Sequence, residues 1–358
     1  MHAFDVPSTT SHAITDIELP TPEPMGTEVR LRVVRSGICH TDTHLREGHY
    51  DLGSRGKLSL TDRGVSYPMV MGHEVVGIVD EVGPEVSGLQ TGETRLVFPW
   101  IGCGLCDACS EGHENLCPSP SNLGIARHGG YAEYISVPHP RYLLDIEGLD
   151  PSWAATLACS GLTAYSAARK ALPSSPTAPV VVIGAGGVGL TAIATLAALG
   201  HRAICAVDLQ DGNLELARQL GATTLVRADQ DDLASVITGQ LGSPATAVID
   251  FVNTGTTAAT AFDILQKGGR MIQVGLFGGE LTVPTVLLTL KSITIQGSFV
   301  GSLDELNELV SLAKDGALPR IPIIDGPLNA TEIDTALDRL GSGGVPGRIV
   351  LAADLPVS

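Results

Sequence analysis

Basic residues are scarce in this chain of 358 residues. It contains 22 Lys and Arg against 39 Asp and Glu, which gives a net charge of −17 at neutral pH. Because such a negative field repels phosphate backbones, we expect no nucleic acid partner. The first residues also lack a basic start followed by an apolar run. We therefore expect no secretory signal and a cytoplasmic protein.

Charged residues are missing altogether between Ala178 and Gly200. The length of this stretch alone would suit a transmembrane helix. However, the segment begins with a short β-branched run, a glycine cluster interrupts it, and a run of small residues follows. This pattern favours a buried strand followed by a helix, so we expect no membrane association.

Repeats and low-complexity tracts are also absent, whereas apolar residues (44%) and glycines (42) are plentiful. The length predicts two domains, since a domain typically has ~100–200 residues. Glycine at this level suits tight turns and close approach of the backbone to a ligand. Seven cysteines are present. In a reducing compartment, metal binding is favoured over disulfide formation.

The pattern of the chain changes near residue 155. Before it, strand-like runs such as 28–34 alternate between apolar and polar residues, which predicts a compact β domain. From about 156 to 295, strand-like and helical runs alternate, which is typical of βαβ units and a parallel sheet. In the tail we predict a strand at 293–296, a helix over 302–314 capped by Ser302 and Glu305, and a final strand at 348–351.

A glycine fingerprint lies at the start of the alternating region. Gly184, Gly186 and Gly189 fit G-x-G-x-x-G between a predicted strand and a predicted helix, and Asp208 ends the next strand. This context predicts a dinucleotide site, with the pyrophosphate at the helix N-terminus. Asp208 would bind the ribose hydroxyls and repel a 2′-phosphate, which favours NAD over NADP. The alternative is a glycine turn without a ligand.

Four cysteines, Cys103, Cys106, Cys109 and Cys117, lie within fifteen residues. Four thiolates complete a tetrahedral zinc site and leave no position for water or substrate, so we predict a structural zinc. One alternative is a pair of disulfides, which a reducing compartment disfavours. Another is a zinc ribbon that binds nucleic acid, which the acidic residues of the same segment (Asp107, Glu111 and Glu114) disfavour.

Three further residues have the character of metal ligands: Cys39, His73 in Gly-His-Glu, and Cys159. Two cysteines and one histidine leave one coordination position open, which is the pattern of a reactive zinc. Taken singly, a cysteine before a helix is more often a small core residue, and Gly-His-Glu is often only a turn. The joint pattern beside a dinucleotide site favours the metal.

Over nearly its whole length the chain resembles the zinc-dependent medium-chain alcohol dehydrogenase family. The motifs that carry the resemblance, in family order, are Gly37-Ile38-Cys39-His40-Thr41-Asp42, Gly72-His73-Glu74, the four cysteines, Cys159-Ser160-Gly161-Leu162-Thr163 and the glycine fingerprint.

This resemblance implies an α/β protein of two domains. Residues 1–155, completed by 296–358, would form a GroES-like β-rich catalytic domain, and residues 156–295 a Rossmann domain with a doubly wound parallel sheet. The implied activity is reversible hydride transfer between an alcohol and NAD, with one catalytic and one structural zinc per subunit. The implied assembly is a homotetramer, with a dimer as the alternative.

The resemblance also implies roles for individual residues. Cys39, His73 and Cys159 would hold the catalytic zinc, and Asp42 would orient the histidine. Thr41 would take the substrate proton, His44 would be the outer base of that relay, and Glu74 would stand behind the metal. The residues that the resemblance places around the cofactor are Gly184, Gly186, Gly187, Val188, Gly189, Asp208, Asn213, His40, Thr163, Val274, Gly275, Leu276, Ser298, Phe299, Val300 and Arg348.

The sequence departs from the family pattern in two places. His73 follows Cys39 by 34 positions, and the extra length lies in residues 49–65, near the expected substrate entrance. A specificity for small alcohols therefore does not carry over. Asn213 stands where a basic residue often contacts the adenosine, which weakens one ribose contact. Trp100 either walls the substrate pocket or is a core aromatic.

Two other functions compete with this hypothesis. A polyol or secondary-alcohol dehydrogenase of the same superfamily often has a carboxylate as its third protein ligand, so Cys159 argues against it. A nonenzymatic redox sensor or zinc-binding scaffold would not need Thr41, Asp42 or an open coordination position. Zinc-free quinone or enoyl reductases do not compete, because they lack the metal ligands altogether.

Overall fold

The computed structural model describes residues 1–9, 11 and 13–353. In chain order its strands are β1 His2–Val6, β2 Thr15–Glu18, β3 Val29–Gly37, β4 His49–Asp51, β5 Lys57–Ser59, β6 Met69–Val70, β7 Glu74–Val82, β8 Thr94–Val97, β9 Tyr134–Val137, β10 Leu143–Asp145, β11 Val180–Ile183, β12 Ile204–Asp208, β13 Thr224–Arg227, β14 Ala245–Asp250, β15 Leu265–Gln273, β16 Thr294–Gly297, β17 Ile323–Pro327 and β18 Arg348–Ala352.

The helices are distributed over both halves of the chain. Their bounds are α1 His40–Glu47, α2 Asp107–Ser110, α3 Pro151–Thr156, α4 Leu162–Ala171, α5 Gly187–Ala198, α6 Asp211–Gln219, α7 Leu233–Leu241, α8 Gly255–Ile264, α9 Thr285–Lys291, α10 Leu303–Lys314 and α11 Ala330–Gly341. A π-helical turn, Leu157–Gly161, joins α3 to α4. Turns of 3₁₀ helix occur at Gly53–Arg55, Thr61–Arg63, Glu114–Leu116 and Pro140–Tyr142.

A seven-stranded sheet organises the β-rich half. Its main order is β10-β8-β7-β3-β18-β17, and β9 also pairs with β3. The alternation predicted for 28–34 is present, because Val29, Leu31 and Val33 are fully buried on one face of β3. Strand β18, from the far end of the chain, pairs antiparallel with β3. The tail therefore completes this sheet. A smaller sheet, β2-β1-β6, packs beside it.

Six parallel strands form the second large sheet, in the order β13-β12-β11-β14-β15-β16. Its central strands are continuous apolar runs, as strands covered on both faces require. The order reverses between β11 and β14, and in doubly wound sheets the ligand binds outside the carboxyl ends at that reversal. The expected architecture, a β-rich domain plus a doubly wound parallel sheet, is confirmed.

The charge-free stretch forms β11 and the twelve-residue helix α5. Within the described residues, no helix has both the length and the apolar character needed to cross a bilayer. The predicted start of α10 is also present: Glu305 N–H donates to Ser302 Oγ, and Ser302 N–H donates to Glu305 Oε2. This reciprocal pair satisfies two amide groups at the helix N-terminus.

Candidate active site

Cys39, His73 and Cys159 come from three separate segments and meet at one point. Cys39 is the residue before α1, and His73 directly precedes β7. Cys159 lies in the π-helical turn, a conformation that occurs often at functional sites. All three are buried, and their potential ligand atoms lie within 4.8 Å of one another. Cys39 Sγ and Cys159 Sγ are 3.8 Å apart, well beyond a disulfide bond of ~2.05 Å.

The orientation of His73 fits a metal ligand. Its Nδ1 faces Asp42 Oδ1 at an ion-pair distance of 3.3 Å, and its Nε2 is buried; neither nitrogen has a well-formed hydrogen bond among the described residues. A buried polar atom left without a partner costs about 1–3 kcal/mol, and coordination would remove that cost. A hydrogen bond from Cys159 holds the pKa of Cys39 well below its ordinary value, although burial opposes the shift. Two sulfurs and one imidazole nitrogen suit zinc with one open position.

Asp42 is fixed by groups other than the histidine. Its Oδ2 accepts the Cys39 N–H at 2.9 Å and the Tyr131 hydroxyl at 3.0 Å. Asp42 and Tyr131 are both fully buried. The carboxylate therefore has one oxygen held in place and the other facing His73, which orients the ring. Tyr131 was not among the predicted site residues, and no motif in the sequence marks it.

Glu74 lies behind the trio with both carboxylate oxygens occupied. Oε1 accepts the Ser160 N–H at 2.9 Å, and Oε2 accepts Arg348 Nη2 at 2.6 Å. Burial raises the pKa of Glu74, while Arg348 opposes the shift. A Cβ atom at Gly37 would lie 2.2 Å from Glu74 Oε2, so only glycine leaves room for this carboxylate.

Thr41 and His44 both lie on α1, next to the trio. Thr41 Oγ1 is 3.8 Å from Cys39 Sγ. Residues three apart share one face of a helix, so Thr41 and His44 point to the same side of α1. The His44 ring lies 4.8 Å from the Tyr50 ring, and only 15% of its side chain is exposed. This burial lowers the pKa of His44.

Trp100 is fully buried and also borders the candidate metal site. Its Nε1 donates to Ala158 O at 3.0 Å, directly before Cys159. Its ring lies 5.5 Å from the His73 ring and 5.8 Å from the Phe299 ring. The two interpretations of Trp100 are therefore compatible, since one side packs in the core and another faces the site.

The glycine fingerprint has the geometry that close cofactor binding requires. Gly184 follows β11 with a φ of +87°, a conformation that favours glycine. A Cβ at Gly189 would lie only 1.8 Å from Gly184 O, so this glycine permits close packing of α5 on β11. Around Gly186 the space is open. Val188 lies in the first turn of α5, where free N–H groups favour a phosphate.

Asp208 stands at the carboxyl end of β12, where it was expected. Its Oδ2 accepts the Ala185 N–H at 2.7 Å, and its Oδ1 accepts Asn213 Nδ2 at 3.1 Å. The carboxylate is therefore held beside the fingerprint. Asn213 contacts this carboxylate through its amide, an orienting contact that the sequence did not indicate.

Two buried side-chain nitrogens near the site have no partner within the described part of the chain, and one of them, on Arg348, lies beside the fingerprint. His40 Nε2 and Arg348 Nε have no hydrogen-bond partner among the described residues. The Arg348 side chain lies against α5, because a Cβ at Gly187 would be 2.5 Å from Arg348 Cδ. A bound pyrophosphate could accept from such donors, so these residues fit a dinucleotide.

The remaining residues predicted around the cofactor lie near the carboxyl end of the parallel sheet or at the start of α4. The N–H groups of Val274 and Gly275 donate to Asp250 O at 3.0 and 3.1 Å. Ser298 Oγ accepts Lys170 Nζ at 2.9 Å. The positions of the others are as follows: Thr163 is half-buried in α4, Leu276 and Phe299 are partly exposed, and buried Val300 has a φ of +41°.

The four cysteines form a separate cluster at the surface. Their sulfur atoms all lie within 4.8 Å of one another, with Cys106 Sγ 3.5 Å from Cys109 Sγ and 3.8 Å from Cys117 Sγ. These distances rule out disulfides in this arrangement. A Cβ at Gly102 would lie 2.3 Å from Cys109 Sγ, so the loop closes around the sulfurs only with glycine there. The donor set fits a structural zinc.

Glu114 has a role that sequence reasoning missed. We counted it among the acidic residues of the lobe, yet its side chain is only 5% exposed. It accepts the Gly102 N–H at 3.0 Å, the Tyr142 hydroxyl at 2.7 Å and Arg141 Nη2 at 2.6 Å. This carboxylate therefore ties the cysteine lobe to the β-rich domain.

Comparison with known proteins agrees with this geometry. The family described as "Alcohol dehydrogenase GroES-like domain" matches residues 25–147, and "Zinc-binding dehydrogenase" matches residues 187–315. A protein of Sulfurisphaera tokodaii named NAD-dependent alcohol dehydrogenase is 38% identical over 93% of this chain and 95% of its own length.

Two further relatives have different names. The crystal structure of the alcohol dehydrogenase from Aeropyrum pernix has a TM-score of 0.88 and 31% identity, covering 98% of this chain and all of that one. A D-arabinose 1-dehydrogenase (NADP(+)) of Saccharolobus solfataricus is 31% identical over 95% of this chain and 93% of its own length.

Proposed function

Since the chain belongs to the zinc-dependent medium-chain alcohol dehydrogenase family, we propose that it transfers hydride between an alcohol and NAD at the site built around Cys39, His73 and Cys159. The observation that carries the proposal is the meeting of these three buried ligands beside the glycine fingerprint. The substrate is a primary or secondary alcohol, or the corresponding carbonyl compound in the reverse direction.

Cys39, His73 and Cys159 would hold a zinc ion, which would supply a Lewis acid that lowers the pKa of the substrate hydroxyl toward neutral. NAD supplies the acceptor for the hydride. The protein keeps the two close together: Asp42 orients His73, and Arg348 spans from Glu74 to Gly187 at the start of α5. Positioning of this kind lowers the barrier, because the reacting groups no longer have to find each other.

Proton movement is assigned to α1. The Thr41 hydroxyl would accept the proton of the substrate hydroxyl while releasing its own proton along the relay, and His44 would be the outer base that takes up that proton and passes it to solvent. Burial lowers the pKa of His44, so the ring is neutral at pH 7 and free to accept a proton. A serine can replace Thr41 in this role, since both carry a hydroxyl that donates and accepts.

Asp208 sets the preference for NAD. Its carboxylate is fixed by Ala185 and Asn213 at the place where the adenosine ribose of a dinucleotide binds. A 2′-phosphate there would meet this fixed negative charge, and Arg227, the cation opposite Asp208 on the neighbouring strand, is already paired with Asp211 and Asp229. NADP is therefore a poor cofactor.

The domains, assembly and location are proposed together. The catalytic domain spans 1–155 completed by 296–358, and the cofactor domain spans 156–295. Strand β16 is at the edge of the parallel sheet, and α9 beside it exposes Val286, Leu287 and Leu290. Such an edge and apolar patch favour pairing with a second copy. We propose a cytoplasmic homotetramer, as the family resemblance implies, with a dimer as the alternative.

The test is the absorbance of reduced nicotinamide with a panel of short, long-chain and aromatic primary alcohols, each with NAD and with NADP. We expect turnover with NAD, a loss of about 10²–10³-fold in kcat/KM for Thr41→Ala, and recovery of most activity in Thr41→Ser. Absence of turnover with every alcohol and aldehyde, in protein with a full zinc content, would support the nonenzymatic scaffold instead.

A further inference from the structure

The segment that lengthens the interval between Cys39 and His73 reaches across to the cofactor domain. Its first part, residues 49–59, is the hairpin of β4 and β5, and we call it the strap. The strap leaves α1 directly, and Tyr50 within it contacts His44. At its turn it meets residues 274–280, the loop that follows β15, which we call the cofactor-side loop.

The strap and the cofactor-side loop touch at several points. Ser54 N–H donates to Glu280 Oε2 at 3.2 Å. At the second point, a Cβ on Gly278 would lie 2.7 Å from Asp51 Cβ, so the two backbones are in close contact. Gly53 at the turn also packs on Glu280, with 2.7 Å between its hypothetical Cβ and Glu280 Cγ. These residues are more than 220 positions apart in sequence.

The other side of the cofactor-side loop is fixed to the parallel sheet. Asn253 Nδ2 donates to Gly275 O at 2.9 Å. The backbone of Glu280 packs on the first residue of α8, where a Cβ at Gly255 would be 2.8 Å from Glu280 O. Phe277 lies 5.1 Å from the His40 ring. The loop therefore belongs to the cofactor domain while its tip is fastened to the strap.

The Ser54–Glu280 contact is shorter than the nearby ion pair, although both lie at the surface and the Glu280 side chain is 42% exposed. Arg55 Nε is 4.0 Å from Glu280 Oε1, and the Arg55 side chain is 84% exposed. An exposed pair at this distance contributes little, because water and salt screen it. A backbone N–H that donates to a carboxylate is a charge-assisted bond and is stronger than a neutral one.

We propose that the strap closes the mouth of the crevice between the two domains, and that Glu280 fastens it and so slows the release of reduced cofactor. The inference rests on the proposed function, since it takes the nicotinamide to lie beside Gly275 and Leu276. Glu280 is a positioning residue: it touches neither the zinc ligands nor the fingerprint, and it acts through the strap. Opening of the Ser54–Glu280 contact would speed the release of the cofactor.

The experiment measures dissociation of NADH from the holoenzyme by stopped-flow fluorescence, with excess NAD as the displacing ligand. We expect Glu280→Ala to raise the dissociation rate by about three- to tenfold. Glu280→Gln, which keeps an acceptor oxygen, should give a smaller increase. The KM for NAD should rise with Glu280→Ala, while the KM for the alcohol should stay within about twofold.

Asp263→Ala is the matched control, because it removes one negative charge from an exposed position of the same domain. Equal NADH dissociation rates in Glu280→Ala, Asp263→Ala and the unchanged protein would overturn the proposal. Hydrogen exchange of residues 49–59 without cofactor tests the fastening itself and should be faster only in Glu280→Ala. An unchanged protein that binds no NADH would instead refute the proposed function, and the strap's role with it.

Discussion

The two cysteine clusters of this protein are built in opposite ways. The lobe takes all four sulfurs from residues 103–117, and three of them are partly exposed. The other cluster takes Cys39, His73 and Cys159 from three distant segments, and all three are buried. A site built from one loop needs little from the rest of the fold. A site built from distant segments exists only when the fold brings them together.

The surroundings of the two clusters differ as well. Around His73 the polar contacts continue outward through Asp42 to Tyr131, and around Cys159 through Ser160 and Glu74. The lobe is joined to the β-rich domain by the carboxylate of Glu114. Loss of a ligand should therefore remove chemistry at the first cluster and stability at the second.

The largest expected effect is at the buried cluster. Cys159→Ser replaces a thiolate by a poor zinc ligand, and we expect kcat/KM to fall by about 10³-fold or more, because a Lewis acid supplies several kcal/mol to this chemistry. Metal analysis should show a loss of one of two zinc ions. Activity near the original level, with only one zinc bound, would show that the lobe and not this cluster holds the reactive metal.

The second prediction is the converse experiment at the lobe. Cys109→Ser should also remove one zinc, yet kcat/KM at 25 °C should keep its order of magnitude. The free energy of unfolding should fall by about 2–5 kcal/mol, as it does when a native crosslink is lost. Denaturant unfolding gives the free energy of unfolding, and steady-state kinetics on the same preparation give kcat/KM.

Ala108→Ser controls for this second experiment, since it changes a neighbouring residue of the lobe without removing a sulfur. It should leave the zinc content and the unfolding midpoint unchanged. If Cys109→Ser unfolds like the control, the lobe is not a stabilising element. If it loses activity as completely as Cys159→Ser, the separation of roles between the two clusters is wrong.

The same difference explains what the sequence could reveal. The spacing of the four cysteines predicts their cluster directly, because a tetrahedral site can close within one loop. The parallel sheet, the fingerprint and Asp208 were likewise predictable from local patterns, and relatives confirm the family. The trio was indicated by its ligand types beside a dinucleotide site and then supported by the resemblance, since no local rule relates positions 39, 73 and 159.

Several contacts between distant polar residues had no signal in the sequence. Tyr131 reaches Asp42 from 89 positions away, and Ser54 meets Glu280 from 226 positions away. Glutamate is usually exposed to solvent, and only the fold shows that the carboxylate of Glu114 is buried. Burial of a charge depends on which segments cover it, and a single sequence does not carry that information.

The smallest expected effect concerns His44. The pH dependence of activity should change when the buried cluster's neighbour His44 is replaced, but not when the cysteine lobe is altered. Burial lowers the pKa of this histidine below the ordinary value of 6.5. In the proposed relay the neutral ring accepts the proton, so alcohol oxidation should fall as the pH drops through the lowered pKa. His44→Gln removes this acceptor and should reduce kcat by about tenfold at neutral pH, a modest loss for general base catalysis because water can replace an outer base.

The sign of the pH effect makes the comparison sharp. For a histidine with a lowered folded pKa, the unfolded chain binds the proton more readily, so protein stability also decreases as the pH falls from 6.5 through that pKa. Cys109 is far from His44 in sequence and has no part in the proposed proton relay. The pH–rate profile of Cys109→Ser should therefore superimpose on that of the unchanged protein. In His44→Gln the fall in rate at low pH, the acidic limb of the pH–rate profile, should disappear.

An acidic limb that persists in His44→Gln would assign the titration to another group at the buried cluster. A limb altered by Cys109→Ser would mean that the lobe shapes the site after all.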